Sequence, residues 1–189
     1  NFVAPLGLSE TAASSLLGFA VSSALIGCVL GGMVGGIVAS ALGRKRGLMI
    51  AAVLFIISAV GSAYPELGFP HGAPHTFLTQ FIIYRIIGGV GVGLASMLSP
   101  MYIAEMAPAS RRGGLVAWNQ FAIIFGMLVV YFVNYFIALN GDEAWLTSTG
   151  WRLMFLSEVI PAALLFLLVL GVPESPRWLI MKGREAKAV

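Results

Sequence analysis

Residues 77–98 read FLTQFIIYRIIGGVGVGLASML, an apolar run of membrane-spanning length that carries a single charge, Arg85. A helix needs about 20 such residues to cross the hydrocarbon core of a bilayer. A charge at that depth costs about 2.5–3.5 kcal/mol, and ionisable residues inside membrane spans usually mark substrate or ion paths. The run therefore predicts a membrane helix whose arginine has a functional partner elsewhere in the chain.

The composition of the whole chain agrees with this prediction. Of its 189 residues, 59% are hydrophobic and 10% are charged, and the mean hydropathy is +0.94. Soluble domains carry about 25% charged residues, so the composition excludes a soluble protein and predicts an all-α, polytopic membrane protein in a lipid bilayer. The net charge of +3 comes from loop clusters, which indicates membrane orientation and argues against nucleic-acid binding.

Five segments are long and apolar enough to span a bilayer. They are residues 16–42, 48–64, 77–103, 115–139 and 153–172. Backbone groups in lipid must hydrogen-bond to one another, so each segment is expected to be a helix. Glycines at four-residue spacing in the first span, among them Gly27 and Gly31, predict close approach of helix backbones.

Basic residues alternate between the connections. The first connection holds Arg44, Lys45 and Arg46, and the third holds Arg111 and Arg112. The second and fourth connections contain no lysine or arginine, whereas the C-terminal segment is basic again. The positive-inside rule then places the N-terminus outside and the C-terminus in the cytoplasm. Five spans with this orientation are expected to follow one further span, in an intact unit of six helices.

Glu158 is the candidate partner of Arg85. It lies in the fifth predicted span and is the only carboxylate well inside any of the apolar runs. A carboxylate and an arginine that meet in a membrane form either a static pair that fixes helix packing or a relay that exchanges protons during transport. Charge placement alone leaves both interpretations open. Pro161, one turn further on, is expected to bend the helix.

Acidic and basic residues also flank two of the basic connections. Glu105 and Arg112 lie around the third connection, and Glu174 and Arg177 lie after the fifth span. One interpretation is that these residues only make the loops soluble. The other is a network of ion pairs that holds one conformation closed on the cytoplasmic side. Exposed pairs contribute about 0–1 kcal/mol each, which suffices to bias an equilibrium between two conformations.

The fourth predicted span has a polar residue near its start on an otherwise apolar face. Gln120, Ile124 and Met127 share that face, and Asn134 continues it two turns later. A carboxamide offers donors and acceptors that suit a neutral, polyhydroxylated ligand. The alternative is that these amides link helices within the membrane. The spans contain no nucleophile–base set and no cluster of metal ligands, so we expect neither an enzyme nor a cofactor or metal.

Several short motifs distributed over nearly the whole chain resemble the sugar porter family of the major facilitator superfamily. They are Tyr84-Arg85 with Gly88-Gly89 and Gly91-Val-Gly93, Pro100-Met-Tyr-Ile-Ala-Glu105, Arg112-Gly113, Asn119-Gln120, Gly150-Trp-Arg152 and Pro173-Glu-Ser-Pro-Arg-Trp-Leu179. Gly43-Arg-Lys-Arg46 retains only part of the family's motif after helix two, since Ser40 and Ala41 stand where the family usually has an acid and a base. The resemblance implies helices two to six of a twelve-helix carrier built from two six-helix halves. Residues 1–172 would then be a partial N-terminal transport domain, and residues 173–189 would begin the cytoplasmic linker.

The resemblance also implies roles for individual residues. Gln120 corresponds to a glutamine that contacts the sugar, with Met127 one further position in that pocket. Arg85 and Glu158 correspond to residues associated with proton coupling. The residues that correspond to the cytoplasmic gate are Arg44, Glu105, Arg112, Glu174 and Arg177. A xylose-transporting member of the family has glutamine at the position of Met127, so this pocket is more apolar.

The expected function is therefore that of part of a proton-coupled transporter of a D-xylose-like monosaccharide that works by alternating access. Its partners would be the sugar, protons, the first helix and the C-terminal half of the same protein. Its expected location is the bacterial inner membrane. Two alternatives use the same scaffold: a facilitative sugar uniporter, and a sugar sensor that does not transport.

Overall fold

The computed structural model describes residues 10–67 and 74–184, and this part of the chain is helical without any strand. The helices are α1 (Glu10–Leu42), α2 (Arg44–Ala63), α3 (Pro74–Met106), α4 (Arg112–Ala138), α5 (Glu143–Trp145), α6 (Trp151–Ser157), α7 (Val159–Gly171) and α8 (Pro176–Met181). A π-helical turn, Leu146–Gly150, joins α5 to α6. The described residues contain five helical segments that are long and apolar enough to cross a membrane. The all-α, polytopic fold class is thereby confirmed.

The fifth membrane segment is longer than the sequence predicts. It covers Glu143–Gly171, whereas the expected span was 153–172, with the preceding residues in a loop. The helix begins before the predicted span because the polar residues after Asn140 support a helix. Asp142 accepts a hydrogen bond of 2.9 Å from the Trp145 N–H and thus caps α5. The Thr147 hydroxyl bonds back to the Glu143 and Ala144 carbonyls, which satisfies it inside the helix.

This long segment breaks at Glu158, between α6 and α7. Pro161 has no N–H, and its ring clashes with the carbonyl of Ser157 one turn earlier. The Glu158 N–H instead bonds to the Phe155 carbonyl at 3.1 Å, three residues back. The helix is therefore interrupted at Glu158, three residues before Pro161.

Glycines bring the backbones of α1 and α3 into close contact. A Cβ atom added at Gly27 would lie 2.9 Å from the Gly89 Cα, and one added at Gly31 would lie 2.9 Å from the Val90 Cα. Gly93 lies equally close to the backbone around Gly31. Without side chains between them, the two helices touch along their backbones, as the glycine spacing predicts.

The central helix of the bundle is α3, which packs against α1, α2 and α4, while α2 also packs against α6 and α7. One apolar core lies where α1, α2, α3 and α7 meet, and its buried residues are Ala39, Leu48, Ala51, Leu94, Leu98 and Val169. In contrast, α4 has no buried residue. Its large apolar side chains are therefore available to lipid or to further parts of a larger protein.

Candidate functional site

Arg85 lies on α3 where this helix faces α1 and α6. Its Nη2 donates to the Val21 carbonyl of α1 at a long distance of 3.5 Å. Its guanidinium carbon lies 5.7 Å from the centre of the Phe155 ring of α6. The Nε atom is buried and has no hydrogen-bond partner among the described residues. The arginine is thus held by one weak hydrogen bond and one aromatic ring.

Glu158 interacts electrostatically with Arg85, but the two side chains do not form a direct ion pair. In the described part of the chain, the ion pairs within 4.0 Å are Arg44–Glu105 and Arg152–Glu66. Glu158 is exposed at the break between α6 and α7. The structure therefore brings the predicted partners to the same region without joining them, and Arg85 keeps a donor free.

The basic end of the bundle is defined here as the end at which Arg44, Glu105 and Glu174 lie. Arg44 at the start of α2 forms a 2.7 Å ion pair with Glu105 near the end of α3, and both side chains are less than 10% exposed. The second guanidinium nitrogen of Arg44 donates to the Ala39 carbonyl at 3.0 Å. The Ser175 hydroxyl donates to the other oxygen of Glu105. This pair therefore ties α1, α2, α3 and the segment before α8 together.

Glu174 has a different partner from the one expected. Its carboxylate accepts hydrogen bonds of 3.0 Å from the backbone N–H groups of Arg44 and Lys45, and another from its own neighbour Ser175. It thus caps the N-terminus of α2, where unpaired N–H groups favour an anion. Gly43 adopts φ +94°, and a side chain there would collide with this carboxylate.

Arg112 and Arg177 lie at the same end but outside the ion pairs. Both side chains are exposed. Together with Glu105 they line a cavity of about 250 Å³, whose other lining residues are Met101 and Ala104. The structure therefore gathers all five residues predicted for the gate. It joins Arg44 to Glu105 and makes Glu174 a helix cap, while the two exposed arginines face an open cavity.

The segment that precedes and forms α8 is fixed to the basic end by two further contacts. The Tyr102 hydroxyl donates to the Pro173 carbonyl at 2.8 Å. The indole N–H of Trp178 donates to the Ser40 carbonyl at 3.1 Å, and the Trp178 side chain is buried. These contacts hold α8 against the ends of α1 and α3.

The polar face of α4 is open. Gln120 is exposed, Met127 is 58% exposed, and no described residue hydrogen-bonds to the Gln120 carboxamide. The neighbouring Asn119 accepts a 2.8 Å bond from Ser99 of α3 and anchors the helix. The buried Asn134 Oδ1 has no hydrogen-bond partner in the described structure and lies in an open groove of about 610 Å³. The three predicted positions thus lie along one accessible face.

A second ion pair, at the end of the bundle opposite the basic end, was not predicted. Arg152 donates to both oxygens of Glu66, at 2.6 and 2.9 Å. The guanidinium also lies 5.4 Å from the Tyr64 ring and 5.0 Å from the Trp151 ring. The hydrogen bond from Arg152 lowers the pKa of Glu66. The two residues are 86 positions apart, so no spacing in the sequence indicates this contact.

Comparison with known proteins places these features in a family. The family described as "Sugar (and other) transporter" matches residues 1–189. The D-xylose–proton symporter of Escherichia coli (strain K12) is 61% identical over 99% of this chain and 40% of its own length. The glucose facilitated diffusion protein of Zymomonas mobilis is 38% identical over 100% of the chain and 39% of its own length. This chain therefore spans about two fifths of the length of these relatives.

A solved structure agrees with the sequence comparison. The proton:xylose symporter XylE, a protein of the major facilitator superfamily bound to 6-bromo-6-deoxy-D-glucose, superposes with a TM-score of 0.94 and 61% identity. The superposition covers 99% of this chain and 41% of that one. The chain belongs to the sugar transporter family of the major facilitator superfamily.

Proposed function

We propose that this chain forms five helices of the N-terminal half of a proton-coupled carrier of monosaccharides that works by alternating access. The remaining helices would come from other parts of the carrier, since the relatives are about two and a half times as long as the matched segment. The open face of α4 and the exposed arginines at the basic end are the surfaces those parts would cover.

The environment of the Arg85 side chain is the main support for this proposal. A charge in the interior of a membrane is costly, and this one has no direct carboxylate partner among the described residues. It interacts with Glu158 at longer range and keeps a buried Nε atom unpaired. An arginine with spare donors is suited to exchange between two carboxylates, one of them supplied by a helix outside this chain. Protonation of such a carboxylate would release the arginine and couple proton entry to a conformational change.

The sugar would bind on the exposed face of α4. Gln120 and Asn134 offer carboxamides at the two ends of this face, and the apolar Met127 lies between them. A few hydrogen-bonding groups on an otherwise apolar wall are typical of sites for small neutral ligands. The relatives are named for D-xylose, glucose, arabinose and myo-inositol, so we expect a monosaccharide or a similar polyol.

The contacts of the basic end would hold one conformation of the cycle closed. Arg44–Glu105 and the cap formed by Glu174 link α1, α2 and α3 to the segment before α8. Arg112 and Arg177 would pair with groups of the second half across the cavity that they line with Glu105. We place this end in the cytoplasm and the carrier in a bacterial inner membrane, because the basic connections meet here.

A chimeric carrier provides the test. In it, the 189 residues of this chain replace the aligned segment of the E. coli D-xylose–proton symporter, and the protein is reconstituted into vesicles. We expect sugar accumulation driven by a pH gradient. Arg85→Ala should abolish this accumulation but preserve counterflow, the exchange of sugar without net proton movement. Undiminished accumulation by the Arg85→Ala variant would contradict the coupling role.

Facilitated diffusion is the second candidate, and a specific observation favours keeping it. The Zymomonas relative, 38% identical over the whole chain, is named for facilitated diffusion of glucose. A uniporter would equilibrate sugar across the vesicle membrane at a rate that does not depend on the pH gradient. Accumulation above equilibrium by the chimera excludes this candidate, and equilibration without accumulation supports it.

A further inference from the structure

The Phe155 ring is one of two groups among the described residues that contact the guanidinium of Arg85. The guanidinium carbon lies 5.7 Å from the ring centre, within the range of cation–π attraction. The other contact is the long hydrogen bond of 3.5 Å to the Val21 carbonyl. Phe155 lies on α6, three residues before Glu158, so one helix brings both the ring and the carboxylate to Arg85.

Phe155 is itself fixed by other aromatic rings. Its ring packs edge-to-face against Phe81 of α3 at 5.6 Å and against Trp151 at 6.3 Å. Trp151 in turn lies against the guanidinium of Arg152, which Glu66 holds in the bidentate ion pair. A continuous series of contacts therefore runs from the Arg152–Glu66 ion pair to Arg85 and restricts the Phe155 ring.

A ring and a carboxylate hold an arginine in different ways. A carboxylate neutralises the charge and competes with any second carboxylate for the same donors. A ring attracts the cation through its quadrupole but leaves the N–H groups available. An arginine held by a ring therefore stays in place while its hydrogen-bond partners change.

The charged groups around Arg85 are few. The described residues of α1 from Thr11 to Leu42 carry no acidic or basic side chain and present the Val21 carbonyl. The charged residues of α2 lie at its basic end, and Glu66 beyond its other end is paired with Arg152. Among the described residues, Glu158 is thus the acidic residue that interacts electrostatically with Arg85.

We propose that Phe155 is a positioning residue for proton coupling, which keeps Arg85 in place between its carboxylate partners through the face of its ring. This inference rests on the proposed function. It goes beyond that function because it assigns a role to an apolar residue that carries no titratable group and lies outside the sugar-binding face of α4.

The test uses the same chimeric carrier with Phe155→Leu and, as the matched control, Phe81→Leu. Both substitutions remove one ring from the same cluster, but among the described aromatic residues only Phe155 lies over the arginine. Loss of a cation–π contact changes the equilibrium between the held and the released position of the Arg85 guanidinium about 2- to 30-fold. This change is equivalent to about 0.4–1.5 pH units in the midpoint of proton-driven uptake. We expect a shift of this size toward lower pH in Phe155→Leu only, because the released guanidinium stays closer to its carboxylate partners.

A series of fluorinated phenylalanines at position 155 separates electrostatics from packing. Each added fluorine weakens the negative face of the ring while its shape changes little, so the variants should fold like the parent chimera. The shift in midpoint should grow with the number of fluorine atoms, and counterflow should stay unchanged because the face around Gln120 is untouched. A midpoint that does not follow fluorination, or equal shifts in Phe155→Leu and Phe81→Leu, overturns the inference.

These outcomes differ from failure of the proposed function. A parent chimera that equilibrates sugar without accumulation refutes proton coupling before any Phe155 variant is compared, and it refutes the positioning role together with it. A parent chimera that accumulates sugar, with Phe155 variants that keep its pH profile, refutes only the role of the ring.

Discussion

Replacement of Glu105 by alanine is the most informative perturbation of the basic end. Glu105 accepts from Arg44 at 2.7 Å and from the Ser175 hydroxyl. Arg44 is 7% exposed, and its Nε is already without a partner among the described residues. After the substitution, the arginine would retain only the bond from Nη1 to the Ala39 carbonyl. A buried charge would thus lose its counter-ion.

The expected loss in the free energy of unfolding follows from the burial of this ion pair. Removing one partner of a buried ion pair destabilises a protein by about 3–5 kcal/mol, because the remaining charge stays in a poorly solvated place. An exposed pair contributes only about 0.2–1 kcal/mol. The side chains of Arg44 and Glu105 are 9% and 8% exposed, so the larger value applies. It corresponds to about two to three and a half orders of magnitude in the unfolding equilibrium.

The assay is reversible unfolding of the chimeric carrier in mixed micelles, followed by circular dichroism. The matched control is Glu66→Ala, which breaks the other ion pair, whose side chains are 23% and 40% exposed. We expect a loss of several kcal/mol for Glu105→Ala and of at most about 1 kcal/mol for Glu66→Ala. The double replacement Arg44→Met with Glu105→Leu should recover most of the loss, since no unpaired charge remains.

Two results would refute this reasoning. A cost below about 1 kcal/mol for Glu105→Ala would show that water reaches Arg44 and that the pair behaves like a surface pair. A double replacement no more stable than Glu105→Ala alone would show that the loss of stability comes from packing. In that case, removal of the unpaired Arg44 charge would not have restored any stability.

Four further outcomes are expected in the same carrier. Arg152 lowers the pKa of the partly exposed Glu66 below 4.5, so folding favours the ionised form of this carboxyl group. Glu66→Gln should therefore lower the free energy of unfolding by up to about 1 kcal/mol above pH 4.5. Unfolding titrations at lower pH should show a progressively smaller loss. Gly31→Ala should lower the unfolding midpoint by an amount equivalent to about 1–3 kcal/mol, because its Cβ meets the α3 backbone. Gly32→Ala, which meets nothing within 4 Å, should be neutral or stabilising by up to about 1 kcal/mol. Gln120→Ala should weaken sugar binding about 2- to 13-fold in a calorimetric titration and leave the unfolding midpoint unchanged.

The sequence was sufficient to predict the features that depend on local patterns. The apolar runs predict five spans because a bilayer requires about 20 residues per helix, and the spans are found. The glycine spacing predicts the contact of α1 with α3 because backbone approach requires small residues at the same face. Pro161 predicts the break at Glu158 because proline lacks the N–H that the helix needs.

Features that depend on residues far apart in the chain were not predictable in detail. Charge placement suggested that Glu174 belongs to an ion-pair network, but the N–H groups of α2 offer it three donors in one place. The pair of Arg152 with Glu66 depends on how α6 lies against α2. Likewise, the sequence places Arg85 and Glu158 in membrane spans, but it does not indicate that the two side chains form no direct ion pair among the described residues.

The cap on α2 has a consequence for biosynthesis. Glu174 lies 130 residues after Arg44, whose N–H it accepts. At about 5–20 residues per second, a ribosome needs roughly 6–26 s to make the intervening chain. All of α2 and α3 is translated within that interval, so the start of α2 has open N–H groups until Glu174 has been made. The cap on α2 can therefore form only after the segment that follows α7 has been translated. Substitutions at Glu174 should accordingly spare membrane insertion and act on the assembled bundle.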